Sequence, residues 1–512
     1  MRTVVINLTR FGDLLQTQPA LSGLRARGSR VDLVCLDAFQ GAASLLSDVD
    51  RIFPLPGARF LAGLDAHWPS AVADFASWTV QAQDPMPARV LNLTPTLPAR
   101  LLGRVLGQNG DGGFGLDAFG FGQHSSPWAV FLQAASAYRG CSPFNLVDVF
   151  QRVAGLDPGP FALKAPDREA QICAGSLLEG LHGPGLVALQ LGASQGARRW
   201  PVAAFARAGG VVWEKTGCTP VLVGSAGEAH LGLEFARLAQ YPFRDLIGRT
   251  DVPTLAAVLL RARLLLTNDT GTMHLAAGLG VPVAAVFLAT AQPFDTGPYL
   301  EGSISLEPDM ACHPCSFGQV CPNGMACQRR MDPEAVGLFV EGFLRSGDWT
   351  VPPGLGARVW QGRRDGYGFM GLVSLSGHET EDRSRWVSVQ RDVYRQFLDQ
   401  KPVGEMVGQS WPCGQFKRRL KQDLQRGLLL LALVQEQGRL LTMNPGAPVR
   451  KKFLANCQNV QDFFAGSPAL GALGPMWNHQ AQDHGRDMAM FLGLCGRYSE
   501  LLRVFQQCLG LA

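Results

Sequence analysis

Apolar runs of strand length alternate with stretches of helical period at the start of the chain. Residues 3–8, TVVINL, read as a fully buried strand, and Leu14–Arg27 as a helix with Leu14, Leu15, Leu21 and Leu24 apolar. Val31–Leu36 is the next strand, Ala43–Leu46 opens a helix, Val90–Leu93 is a strand and Leu97–Leu106 a helix. Continuous apolar strands joined by helices describe a parallel sheet covered on both faces. Gly107–Gln123 breaks the pattern: it is Gly-rich and expected to be irregular, either a passive connection or a mobile lip over a cleft.

The winding then restarts. Gly185–Leu191 is a strand, Val202–Ala208 a helix, Thr219–Val223 a strand, and Gly227–Ala239 and Thr254–Arg261 are helices. Leu264–Phe287 is a strand, a small polar turn, a helix and a second strand. The pattern predicts an α/β protein with one domain over residues 1–165 and a second over 166–345. The carboxyl ends of their sheets would face a cleft, where ligands of such folds lie. Ser346–Gly356 reads as a linker. Residues 358–512 form a third module, a hairpin at Arg358–Ser376 around Asp365-Gly366 followed by helices over Trp386–Leu398, Gln415–Gln437, Pro448–Phe464 and Asp483–Leu509.

Composition narrows the class. The 512 residues are 46% hydrophobic and 17% charged, which describes a folded, well-buried chain. A net charge of +4 gives no general reason to expect nucleic acid as a partner. The apolar run near the start, Val4-Val5-Ile6, is broken by Asn7, Arg10 and Asp13, unlike a signal peptide. Leu428–Val434 falls well short of the ~20 residues of a membrane span. The expected location is the cytoplasm. Eight of the 12 cysteines stand singly (Cys35, Cys141, Cys173, Cys218, Cys413, Cys457, Cys495, Cys508) and read as buried reduced thiols.

Two loops carry the candidate chemistry. Asn268-Asp269-Thr270-Gly271-Thr272 places hydroxyls, a glycine and free N–H groups at a helix N-terminus, where a phosphate is readily held. Thr9-Arg10-Phe11-Gly12-Asp13, at the end of the first strand, offers a carboxylate. With NLTRFGDLLQTQPAL, LQLGASQGARRWPVAAFA, VLVGSAGE and NDTGTMHLAAGLGVPVAAVF in this order, residues 1–345 resemble glycosyltransferase family 9, the heptosyltransferases of the lipopolysaccharide inner core. The resemblance implies a GT-B fold, two Rossmann-like domains facing across a cleft. The tail from about residue 350, a mainly helical module, lies outside it.

The activity implied is inverting transfer of a sugar, most plausibly heptose from ADP-heptose, to a lipopolysaccharide-core or related glycan acceptor. Such transfer needs a base for the acceptor hydroxyl and a cradle for the departing diphosphate. By resemblance Asp13 is the base. Ser194, Arg198 and the turn Asp269, Thr270, Gly271, Thr272 hold the diphosphate, with His274 one helical turn on; Glu228 holds the ribose. Plainer readings stand beside these: Asp13 and Glu228 both suit a helix start, and His274 a core position. Arg198 departs from the family's usual Lys but keeps the charge and adds bidentate phosphate recognition. Thr290, Gln292 and Pro293 match the loop beside the donor sugar, with Ala291-Gln292 where an acidic or small residue is commoner.

Cys312, Cys315, Cys321 and Cys327 are four thiols in sixteen residues, a set suited to structural zinc, iron–sulfur ligation or simple loop packing. No cofactor is implied for catalysis. Lys417-Arg418-Arg419-Leu420-Lys421 with Arg426 reads as a solvated face or as a contact with an anionic surface, which would suit an enzyme whose glycolipid acceptor sits at the cytoplasmic face of the inner membrane. A protein of another class fits the same residues: a catalytically silent nucleotide-sugar-binding or scaffolding protein that keeps a GT-B cleft.

Overall fold

The computed structural model describes the chain except residues 108–111, 136–137, 139–141, 182, 405–410, 412–413, 444–446, 486 and 511–512. Two compact units divide it: Met1–Gly122 with Phe144–His378, and Gln123–Pro143 with Glu379–Ala512.

Five of the six strands of the first sheet lie within the larger unit: β1 (Arg2–Ile6), β2 (Arg30–Leu36), β3 (Arg51–Leu55), β4 (Arg89–Asn92) and β5 (Gly112–Leu116). They run parallel in the order β3-β2-β1-β4-β5. Every residue of β1 is buried, the polar Arg2 and Thr3 as well as the apolar run Val4–Ile6. Within Gly107–Gln123, the described residues 112–123 are more regular than their glycines suggest. They contain β5 and the start of the three-residue strand β6 (Gly122–His124). Gly113, at φ +73°, explains one glycine: a methyl there would strike the Asn92 carbonyl oxygen, 1.9 Å away.

The expected helix over Leu14–Arg27 is two helices, Phe11–Leu15 and Gln18–Ala26. Pro19 has no N–H to return to Leu15, so the helix restarts there. Thr17 closes the first helix, its Oγ1 donating to the Leu14 carbonyl at 2.6 Å beside its own N–H at 3.2 Å. The expected helix at Ala43–Leu46 lies earlier, at Gln40–Ala43.

The second sheet holds β7 (Leu186–Gln190), β8 (Thr219–Val223), β9 (Arg244–Asp245), β10 (Ala262–Asn268), β11 (Val283–Val286), β12 (Ile304–Pro308), β13 (Ala357–Arg364) and β14 (Met370–Ser374). Their order is β14-β13-β12-β11-β10-β7-β8-β9. The strands from β7 to β12 pair in parallel, whereas β12–β13 and β13–β14 are antiparallel. The hairpin expected to open the third module therefore completes the second sheet instead. Its alternation marked a strand pair correctly, but only the unpaired edge of β12 decides where that pair goes. Trp200, Phe205, Leu222, Phe235, Leu266, Val286, Phe339 and Val359 share one buried core beneath it.

The smaller unit is helical: Pro127–Ala135, Asp382–Leu398, Gln415–Met443, Ala447–Gly466, Leu473–His484 and Met488–Cys508. The expected single helix at Asp483–Leu509 starts anew at Met488, where the Asp487 carboxylate accepts from the N–H groups of Ala489 and Met490. Leu420, Leu424, Gly427, Leu431, Val434 and Gly438 form the buried seam of Gln415–Met443, with alternating spacings of four and three residues. Gly427 lets Leu502 and Phe464 approach, and Gly438 admits Leu492 and Met488. Residues 123–143 also belong to this unit rather than to the first α/β domain. Among the single cysteines, Cys35, Cys218, Cys495 and Cys508 are buried and Cys457 is half-buried, but Cys173 is exposed. Cys141 and Cys413 lie outside the described residues.

Candidate functional site

The two candidate loops meet. Asn7 follows β1, its Oδ1 accepting from the Thr9 N–H at 3.0 Å, and the chain turns through Arg10 into the short helix Phe11–Leu15. β10 ends in Asn268, and helix Gly271–Gly278 starts three residues later. A methyl built on Gly12 would stand 2.8 Å from His274 Cδ2, and one on Gly271 would stand 2.1 Å from the Phe11 ring. Two glycines therefore let the backbones of the two domains touch.

Asp13, next to Gly12, is half-buried. Burial pushes its carboxyl above the ordinary 3.8, with the Arg10 charge and N–H pulling it partly back. His274 is buried on the facing helix, and loss of solvent pushes its imidazole down to about 4, so the ring is neutral at ordinary pH. Gln16 Nε2 lies 2.9 Å from His274 Nδ1 and 3.2 Å from Nε2 and donates to the ring. Gln16 is thus a site residue that the sequence reading missed, since a glutamine inside an apolar helix carries no motif.

Asn268 staples the opposite turn. Its Nδ2 donates to the Leu191 and Gly192 carbonyls at 3.0 Å each, and its Oδ1 accepts the Trp200 N–H at 2.9 Å. Trp200 is wholly buried, edge-on to Phe205, which pins the segment just after Arg198. Arg198 closes a 3-10 turn, Gly196–Arg198, and is itself buried. Its Nε donates to Thr290 Oγ1 at 2.8 Å and one terminal nitrogen lies 3.6 Å from the Asp269 carboxylate. Arg198, Asp269 and Thr290 are therefore together. Ser194 is exposed in the bend before them. Gln292 and Pro293 are buried beyond Thr290.

Glu228 begins the helix after β8. Its Oε2 accepts from the Ser225 N–H at 2.7 Å and the Ser225 hydroxyl at 2.9 Å, a capping box. The helix-start role weighed for it is real, and it does not exhaust the carboxylate. Gln190, at the end of β7, places Nε2 at 3.3 Å from Glu228 Oε1 and accepts from Thr272 Oγ1 at 3.2 Å. Gln190, also missed from sequence, links Glu228 to the turn at Thr272. Thr270 Oγ1 lies 3.2 Å from Thr267 Oγ1.

Cys312, Cys315, Cys321 and Cys327 lie on the loop after β12. Cys327 is buried, Cys315 half-buried, and Cys312 and Cys321 exposed. Burial raises the Cys315 thiol, and the other three thiols raise it further, so the four are near neighbours. Among the described residues, no three bring their sulfurs within 4.8 Å of one another. Sulfur chemistry suits zinc, but the loop would have to draw in to complete a tetrahedron.

Two parallel α/β windings whose loops approach at Gly12 and Gly271 have the architecture of a GT-B fold. A solved E. coli ADP-heptose LPS heptosyltransferase II is similar over 67% of this chain and 98% of its own, with a TM-score of 0.50 and 15% identity, which establishes likeness of fold. Residues 149–325 match glycosyltransferase family 9 (heptosyltransferase), so the family resemblance is shown over that stretch. A lipooligosaccharide heptosyltransferase 2 of Campylobacter jejuni serotype O:2 is 29% identical over 163 residues, 30% of this chain and 50% of that protein. Its counterpart from serotype O:6 is 28% identical over the same length and shares. The chain spans about half the length of the curated relatives it matches.

Proposed function

We propose that this chain is an inverting glycosyltransferase that moves heptose from ADP-heptose to a lipopolysaccharide-core or related glycan acceptor. One observation carries the proposal. The loop bearing Asp13 abuts the helix N-terminus that follows Asp269 and Thr270, as a base and a leaving-group cradle must. Asp13 takes the proton of the acceptor hydroxyl as that oxygen attacks the anomeric carbon. The departing diphosphate is received by Arg198, by Ser194 and by the N–H groups and hydroxyls of Thr270, Gly271 and Thr272. Asp269 orients Arg198, His274 contributes a neutral hydrogen-bonding ring, and Glu228 accepts the ribose hydroxyls. The raised Asp13 pKa brings the carboxylate nearer the strength of an effective base.

Zinc held by Cys312, Cys315, Cys321 and Cys327 is proposed as a structural ion, with no part in the chemical step. Among the described residues no helix is long and apolar enough to cross a membrane. Work at the cytoplasmic face of the inner membrane is supported by helix Gln415–Met443, which exposes Arg418, Arg419, Lys421 and Arg426 together with Leu429 and Leu433. The deciding experiment is ADP release from ADP-heptose with a heptose-free core acceptor, for the unsubstituted chain and for Asp13→Asn. Acceptor-dependent release that Asp13→Asn abolishes, with ADP binding kept, is the expected result. ADP binding without turnover over a panel of acceptors would instead favour a silent binding protein.

A further inference from the structure

The turn that carries Arg198 is held from outside by the cysteine loop. Gln328, the residue after Cys327, donates Nε2 to the Gly196 carbonyl at 2.8 Å and to the Arg199 carbonyl at 2.9 Å. These carbonyls bracket the 3-10 turn, so one amide fixes both of its ends. Phe317, between Cys315 and Cys321, presents its ring with the centroid 5.8 Å from Arg198 Cζ. The loop also grips the third contact of Arg198. The Cys315 N–H donates to the Ala289 carbonyl at 2.8 Å, and the backbone at Ala289 hydrogen-bonds the Cys327 thiol. The next residue, Thr290, accepts Arg198 Nε.

Backbone turn, ring face and Thr290 are all tied to residues 315–328, although none of those residues belongs to the phosphate turn. An arginine over an aromatic face is attracted through its π-facing side and keeps its in-plane N–H groups for oxygen acceptors. A guanidinium anchored this way meets a diphosphate already oriented, so less conformational freedom is lost on binding.

We infer that Phe317 and Gln328 are positioning residues for Arg198, and that through it they set the affinity for the donor's diphosphate. The inference rests on the proposal that Arg198 receives that diphosphate. Phe317 is 42% exposed and Gln328 half-buried, so both tolerate substitution.

The test is calorimetric titration with ADP for Phe317→Ala, Phe317→Tyr, Gln328→Ala, Arg198→Ala and the double variant Phe317→Ala/Arg198→Ala, with melting curves to confirm folding. Phe317→Ala and Gln328→Ala are each expected to weaken ADP by about fivefold. Phe317→Tyr keeps an aromatic face and should restore binding. The double variant should bind no more weakly than Arg198→Ala, because Phe317 acts only through Arg198. In turnover, donor KM should rise while kcat and acceptor KM hold. Full ADP affinity in Phe317→Ala and Gln328→Ala, with loss in Arg198→Ala, overturns this inference and leaves the proposed function intact. Full affinity in Arg198→Ala overturns the diphosphate reading itself.

Discussion

Replacing Gly12 with alanine probes the contact on which the proposed chemistry depends. The added methyl would stand 2.8 Å from His274 Cδ2 and 3.1 Å from Gly271 Cα, whereas carbon atoms pack comfortably at about 3.5–4.0 Å. Neither neighbour yields easily. The His274 ring is buried and hydrogen-bonded to Gln16, and Gly271 offers only backbone. The two loops must then part by several tenths of an ångström to about 1 Å. Overpacking of this kind costs about 1–3 kcal/mol, and displacing reacting groups by about 1 Å lowers turnover by about 100-fold. Asp13 and the phosphate turn sit on opposite sides of the contact, so the effect should divide. The expected result is kcat down by roughly 30- to 100-fold, with ADP affinity close to that of the unsubstituted chain. Gly342→Ala, whose methyl would meet nothing within 4 Å, serves as the control and should leave both unchanged. Stopped-time ADP release and calorimetry read the two quantities. Undiminished turnover in Gly12→Ala would mean that the loop contact is packing alone and that Asp13 does not depend on its placement there.

Gly192→Ala would drive a methyl to within 1.4 Å of Glu228 Oε1 and expel that carboxylate from its place beside Gln190; ADP binding should fall at least tenfold by calorimetry, and unchanged binding would remove Glu228 from the nucleotide site. The buried His274 ring, held near 4 against 6.5 in the unfolded chain, keeps its full stability contribution above pH 6.5. That contribution is lost as pH falls toward 4, by about 1.4 kcal/mol per unit, and His274→Gln should flatten this part of a denaturation–pH profile. The Asp13 carboxyl acts in the other sense: its raised pKa moves the acid limb of kcat/KM above pH 3.8, and Asp13→Asn should erase the limb together with the activity. One zinc per chain, lost with Cys321→Ser and measured by elemental analysis, is expected of the cysteine loop; no uptake at equimolar zinc would leave the thiols as loop packing.

Periodicity carried the two windings well because the centres of strands such as β1 and β10, Val4–Ile6 and Leu264–Leu266, are buried on both faces and read as continuous apolar runs. It missed helix Gly57–Gln83, whose Leu61, Leu64, Trp68 and Val72 are exposed and whose backbone breaks at His67 ahead of Pro69. A helix that leaves its apolar residues in solvent shows no contrast between an inner and an outer face. At the site, the residues with distinctive chemistry (Asp13, Arg198, Glu228, Asp269, His274) were legible one by one. The glutamines that join them were not. Gln16, Gln190 and Gln328 act through amide geometry across 258, 38 and 132 residues of chain, and nothing in their local sequence announces those partners. The pairing of β13 with β12 was hidden for the same reason, since it spans the entire cysteine loop and the helix Pro333–Ser346.

That pairing has a practical meaning for anyone dissecting the protein. The family match covers residues 149–325, but all five residues of β12 are buried and one flank of that strand is satisfied only by Ala357–Gln361. A fragment trimmed to the matching stretch would leave a row of backbone groups bare and adhesive, ready to zip onto the same strand in a neighbouring molecule. The smallest piece that can be expected to stay monodisperse runs through the second hairpin strand, about fifty residues past the last residue of the family match.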